Sequence, residues 1–179
     1  MQATRDDEPA TRADVRLTPT SYIVLGLLWG IGEATPYRLK QTVAGSVGYF
    51  WSLQHAQLYT EPERLARGGY VTEEREEGGR RRKLYRITEK GKAAVREWRA
   101  EPTEALSELR DLALLKLFFG ANPQELARVQ LEVRRRELAD YERIHGEMPD
   151  EVPRGPRLAL EAGIRHARSW IAFWEDLAS

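Results

Sequence analysis

One change of hydrophobic period constrains this chain more than any other feature. Up to Gly68-Gly69 the apolar residues recur at helical spacings. Beyond that pair, Tyr70 to Arg75 and Arg81 to Ile87 read as two strands, joined by Glu76-Glu77-Gly78-Gly79 as a turn. Tyr85 and Ile87 alternate around charged Arg86, as a half-buried strand requires. The helical period then returns: Thr88 caps a segment from Glu89 to Arg99, with Val95 and Trp98 three apart, and Pro102 ends it. A lone hairpin among helices leaves few architectures open. Three helices before it and one after it give the layout of a winged helix-turn-helix.

The three leading helices have punctuation of their own. Thr18 or Thr20 opens the first, with Pro19 in its first turn, and Gly30 and Gly32 close it. Ile23, Val24, Leu25, Leu27 and Leu28 leave it almost no polar face, which predicts burial on most sides. Thr35-Pro36 starts the second, Tyr37 to about Ala44, and Gly45-Ser46-Val47-Gly48 breaks it. The third is expected to begin near Ser52 and run towards Arg67, with Gly68-Gly69 as a C-terminal glycine cap. Residues 1–17 are polar and acidic, and are expected to be a disordered tail.

The second half reads as all helix. Leu106 to Phe119 is strongly apolar and closed by Gly120; Asn122-Pro123 opens a long helix to about Glu147. Pro149, Pro153, Gly155 and Pro156 form a stiff connection to a last helix, Arg157 to Ala178. On it Leu160, Ile164, Ala167, Ile171 and Trp174 follow one another at heptad-type spacings, while Trp170, Phe173 and Leu177 make a second apolar face. Two faces need two partners, and the expected second partner is the same helix of another copy. A monomeric bundle with both faces turned inward is the competing arrangement. The domains expected are therefore the tail 1–17, a winged helix 18–101 and a helical dimerisation domain 102–179.

Composition excludes several chemistries. The chain of 179 residues has no cysteine, so disulfides, thiolate zinc sites and a cysteine nucleophile are out. His55, His145 and His166 lie far apart and form no metal-ligand cluster. No phosphate-binding glycine loop, His-x-x-x-His pair or Gly-x-Ser-x-Gly elbow occurs, and neither an enzyme nor a cofactor is expected. The N-terminus has no apolar leader, and the longest apolar run, Tyr22 to Trp29, is too short to span a bilayer. A soluble cytoplasmic protein with no membrane partner is expected.

Charge is balanced overall, with 28 basic and 28 acidic residues, but unevenly distributed. Residues 1–100 carry 17 Lys or Arg against 13 acids, and residues 101–179 carry 11 against 15. Five of the seven residues from Arg80 to Arg86 are basic. Such a stripe on a wing suits phosphate or an adjacent minor groove. The segment Tyr49 to Leu65, YFWSLQHAQLYTEPERL, supplies Ser52, Gln54, His55, Gln57 and Tyr59 as donors and acceptors, while Leu53, Leu58 and Leu65 anchor it. A reading helix in a major groove uses such groups on base edges and phosphates. A winged-helix module that binds protein and never DNA is the alternative.

YFWSLQHAQLY, LARGGYVT, the RRRKLYRITEKGKAAV passage and the later LALLKLFFG resemble the PadR-type transcriptional regulators, in the branch with the longer virulence-activator C-terminal region. The resemblance covers roughly residues 18 to 178. It implies a homodimeric operator-binding regulator, expected to be a repressor, with a small aromatic effector between subunits in some members. It implies as DNA-facing residues Tyr37, Ser52, Gln54, His55, Gln57, Tyr59 and the wing residues Arg80, Arg81, Arg82, Lys83 and Tyr85. Trp98, Trp170 and Phe173 are the candidate walls of an effector pocket. One position departs: the family usually has leucine where this chain has Pro62. A proline there removes its own amide bond and crowds the Leu58 carbonyl, so a kink or fresh helix start is expected near Glu61.

Overall fold

The computed structural model describes residues 15–75 and 82–179. The tail up to residue 14, the Glu76–Gly79 turn and the wing residues Arg80 and Arg81 lie outside the described residues. Two compact units divide between Glu104 and Ala105.

The first unit contains α1 (Pro19–Ile31), β1 (Glu33–Ala34), α2 (Pro36–Ala44), a single 3-10 turn (Val47–Tyr49), α3 (Gln57–Arg67), β2 (Val71–Arg75), β3 (Lys83–Ile87) and α4 (Glu89–Ala100). The caps are those the sequence offers. Thr18 and Ser21 form a reciprocal capping box at α1, Thr35 accepts from the Arg38 amide, and Thr88 from the Gly91 amide. Val24, Leu25 and Leu28 of α1 are completely buried and meet Leu39, Leu58, Leu65, Val71, Tyr85 and Val95 in one core. Val15 and Leu17 pack against that core, so the last residues of the expected tail are part of the fold.

The sheet is antiparallel in the order β1-β3-β2. Its register sets Glu73 opposite Tyr85 and Arg75 opposite Lys83. Strand β1, not foreseen in the sequence, pairs Ala34 with Tyr85 and ties the loop after α1 to the wing. Gly91 is obligatory for close packing, because a Cβ there would lie 2.3 Å from the Tyr70 carbonyl oxygen.

The second unit contains α5 (Leu112–Phe118), α6 (Pro123–Gly146) and α7 (Arg154–Ala178). Helix α5 starts later than expected, because Asp111 accepts from the Ala113 and Leu114 amides and fixes the first turn there. Helix α7 starts earlier, at Arg154, with Pro156 taken into its first turns, where a proline's missing amide costs nothing. Helices α6 and α7 form a hairpin, with Ala127 and Trp174 in one buried cluster and Tyr141, Ile164 and Ala167 in another.

Candidate nucleic-acid interface

The reading segment is half helix and half turn. Ser52, Gln54 and His55 lie ahead of α3, which begins at Gln57 and not at Ser52. The reason is local: no side chain caps α3, and the chain leaves the Val47–Tyr49 turn with Trp51 bonded back to Val47. The Gln54 amide donates to the Gln57 side-chain oxygen at 3.3 Å, so Gln57 steadies the turn it follows. Ser52, Gln54, His55, Gln57 and Tyr59 are all solvent-exposed. On the opposite side Leu58, Glu61, Pro62 and Leu65 are buried. Helix α3 packs on both α1 and α2, and those contacts present its polar face outward.

Pro62 does not break the helix. Helix α3 is continuous from Gln57 to Arg67, and the proline ring is fully buried. The expected restart near Glu61 is absent because tertiary packing fixes both halves. Glu61 accepts from Ser21 Oγ at 2.6 Å and from Arg64 Nη2 at 2.6 Å, two bonds that straddle the proline position or cross to α1. Burial opposes ionisation of Glu61, but these hydrogen bonds outweigh it and hold the carboxyl below its usual range.

Tyr37 is exposed at the start of α2, its hydroxyl accepting from Gln41 Nε2 at 3.2 Å. A pocket of about 320 Å³ beside α3 brings Lys40, Tyr49, Trp51, Ser52 and His55 together. Lys40 and the exposed aromatics Tyr49, Phe50 and Trp51 are additions the sequence analysis missed. Their signal was present, since three consecutive aromatics are improbable in a short loop unless one face is put to use.

The wing corrects two expectations. Tyr85 is completely buried in the core, and its hydroxyl donates to Glu73 Oε2 at 3.1 Å, so it does not face DNA. Lys83 Nζ is paired with Glu63 Oε1 of α3 at 2.6 Å and with Glu73 Oε1 at 3.3 Å. The hydrogen bond to Glu63 pushes the Lys83 ammonium above its ordinary pKa, and Lys83 lowers that of Glu63. Lys83 therefore braces wing to helix, where an unpaired cation turned to phosphate was expected. Arg82 is exposed, and among the described residues no carboxylate is paired with it.

In the second unit most of the heptad seam is spent within one chain. Ile164, Ala167 and Trp174 are buried against the α5 and α6 side chains, with Leu160 packed beside them. Ile171 is half-buried. Of the expected seam, Ile164, Ala167 and Trp174 are therefore covered within the chain, and Leu160 and Ile171 stay partly exposed. Exposed apolar side chains include Leu112, Leu115, Phe118 and Phe119 at α5, Val129 and Val133 on α6, and Leu158 and Phe173 on α7.

The candidate effector residues fall into different units. Trp98 stacks on Tyr22 with ring centroids 4.6 Å apart and planes at 6°, and remains 45% exposed. Trp170 meets Phe173 edge-on at 5.6 Å, and its indole nitrogen donates to His166 Nε2 at 2.8 Å. Among the described residues no three His, Cys, Asp or Glu side chains gather to hold a metal, and no helix is long and apolar enough to cross a membrane.

Residues 24–97 match the transcriptional regulator PadR-like family, and residues 109–179 match the virulence activator alpha C-terminal family. The first unit thus carries a PadR-like domain. The negative transcriptional regulator PadR of Bacillus subtilis is 28% identical over 171 residues, covering 87% of this chain and 93% of that one. Its crystal structure with operator DNA aligns at a TM-score of 0.78, with 24% identity over 91% of this chain and 98% of that one. The same Bacillus protein with p-coumaric acid aligns at 0.73, again at 24% identity, over 91% and 97%. At that identity the likeness of structure shows the winged-helix fold, which the PadR-like domain shares.

Proposed function

We propose that this PadR-like regulator is a homodimeric, sequence-specific DNA-binding repressor that acts in the cytoplasm and responds to a small planar aromatic effector. The observation that carries the reading is the two-sided character of the reading segment. Ser52, Gln54, His55, Gln57 and Tyr59 are exposed on one side, while Leu58 and Leu65 lock the other side into the core. Such a segment offers donors and acceptors on a rigid support, which is what base recognition in a major groove needs. Lys40 beside it and Arg82 on the wing add cations for phosphate.

The relative's complex with operator DNA supports this reading, and its complex with p-coumaric acid supports an aromatic effector. For the effector, the half-exposed Trp98–Tyr22 stack and the Trp170–Phe173 pair are the flat surfaces available. For the dimer, the exposed apolar residues of α5 and α6 replace the heptad seam as the proposed contact. Two-fold symmetry then sets half-sites about one helical turn apart.

The test is selection of duplexes from a random-sequence library by the purified full-length chain, followed by binding to the enriched duplex as salt is raised. Enrichment of a two-fold sequence and a linear fall of log K with log salt are expected. A chain that enriches no duplex refutes the DNA reading and leaves the protein-binding alternative.

A further inference from the structure

Pro62 gives α3 a gap that the domain closes by other means. The proline lacks the amide that would donate to the Leu58 carbonyl, in the middle of the helix that carries Gln57 and Tyr59. Glu61 and Arg64 stand on either side of that position. Arg64 holds the carboxylate with two donors, Nη2 to Oε1 at 2.6 Å and Nε to Oε2 at 2.8 Å. Ser21 Oγ donates to the same Oε1 at 2.6 Å, and Arg64 Nη2 reaches Ser21 Oγ at 2.8 Å. Arg64 Nη1 donates to the Arg16 carbonyl at 2.7 Å. Ser21 is fully buried and Glu61 only 9% exposed. Through this network α3 is tied to the capping box of α1 and to the chain that enters it.

A partly buried ion pair is a weak source of net stability, since well-packed apolar side chains of similar volume can serve as well. Its distinctive property is geometric. A bidentate guanidinium, a carboxylate and a hydroxyl are satisfied together in one arrangement, and any tilt of α3 on α1 breaks several bonds at once.

We propose that Ser21, Glu61 and Arg64 are positioning residues, which fix the angle of the DNA-facing half of α3 on α1 in place of the main-chain bond that Pro62 lacks. The proposal rests on the DNA-binding reading above. None of the three needs to touch DNA. Their work is to keep Gln57 and Tyr59 in register with base edges, so they set discrimination between sequences and leave the attraction to phosphate alone.

The experiment uses the full chain and the duplex that the wild type enriches, with a scrambled duplex beside it. In the apolar variant Ser21→Ala/Glu61→Leu/Arg64→Met, melting falls by a few degrees at most, the share of the lost Ser21 arm of the α1 capping box. Affinity for the enriched duplex falls by at least about tenfold, the worth of one base contact, while affinity for the scrambled duplex is unchanged. Adding Pro62→Ala restores the missing amide and recovers discrimination in part. Arg64→Lys keeps charge but cannot grip both carboxylate oxygens, so it lowers discrimination as well, and it carries the test should the triple variant fail to fold. Wild-type discrimination in the triple or the lysine variant overturns the proposal, as does a loss that Pro62→Ala leaves untouched. Failure of the wild type to enrich any duplex overturns the DNA reading and this proposal together.

Discussion

Replacing Tyr85 by phenylalanine separates a core role from a DNA-facing one. The ring is completely buried and its hydroxyl donates to Glu73 Oε2 at 3.1 Å. Phe keeps the ring and removes only that bond. A hydrogen bond to a charged group contributes about 1.5–3 kcal/mol, but Glu73 does not lose all its partners. Lys83 Nζ stays 3.3 Å from it and Arg75 Nε 3.7 Å, and its side chain is 24% exposed. The cost therefore belongs at or below the low end, about 1 kcal/mol. For a chain of this length that lowers the melting temperature by about 2–4 °C.

The assay pairs a thermal melt followed by circular dichroism with binding to the enriched duplex at a temperature far below the transition. Tyr85→Phe is expected to melt lower and to bind within about twofold of wild type, well under the cost of a lost base contact. A melt that does not move, together with an affinity loss of about tenfold or more, would refute the core assignment.

Three further outcomes follow from the same geometry. Arg82→Ala is expected to flatten the slope of log K against log salt by about 0.9, one phosphate contact, whereas Lys83→Met/Glu63→Met removes an internally neutral pair and leaves the slope unchanged. Phe118→Asp/Phe119→Asp places charge on side chains 82% and 77% exposed in one chain, so sedimentation should shift towards monomer mass with secondary structure intact; an unchanged sedimentation profile excludes this face as the contact. Glu61 has a lowered carboxyl pKa, so its stabilisation is present above the unfolded value of about 4.3 and is lost as pH falls through the folded one. The melting difference between wild type and Glu61→Gln should accordingly narrow on acidification below about pH 4; a difference that stays constant down to about pH 3 rejects the linkage.

The parts of the fold that sequence revealed are those decided within a few residues. Thr18, Thr35, Thr88 and Asn122 each accept from an amide three residues on, and each helix starts where its cap stands. Starts were misplaced at α5, where Asp111 and not the apolar run decides, and at α3, where no side chain caps the helix. Ser52 resembles a cap, yet α3 starts five residues later, because no side chain caps it and the Gln54 amide is bonded to Gln57 in the turn before it. Strand β1 is two residues long and exists only through its pairing with β3, so no period could announce it. The Leu160–Trp174 stripe was legible as a stripe, but spacing does not say whose helix covers it. The answer lay in α6, whose Ala127 and Tyr141 complete the buried clusters within the same chain.

The wing shows how far strand parity alone could have gone. Positions 83, 85 and 87 share one side of β3, and positions 84 and 86 the other. Tyr85 is fixed inward by its burial, so Lys83 lies on the side that meets α3 and Glu63, not among outward cations. Arg86 points the other way but is held by Glu33 at 2.5 Å, across the pairing with β1. Of the three described cations of the basic run, Arg82, Lys83 and Arg86, the last two are thus paired with acids distant in sequence. Counting charges along the chain could not reveal this, since Glu33 and Glu63 reach the wing only after the sheet and α3 have formed. Arg82 remains as the described wing cation available to phosphate, and for that reason its salt dependence tests the interface more sharply than the composition of the run as a whole.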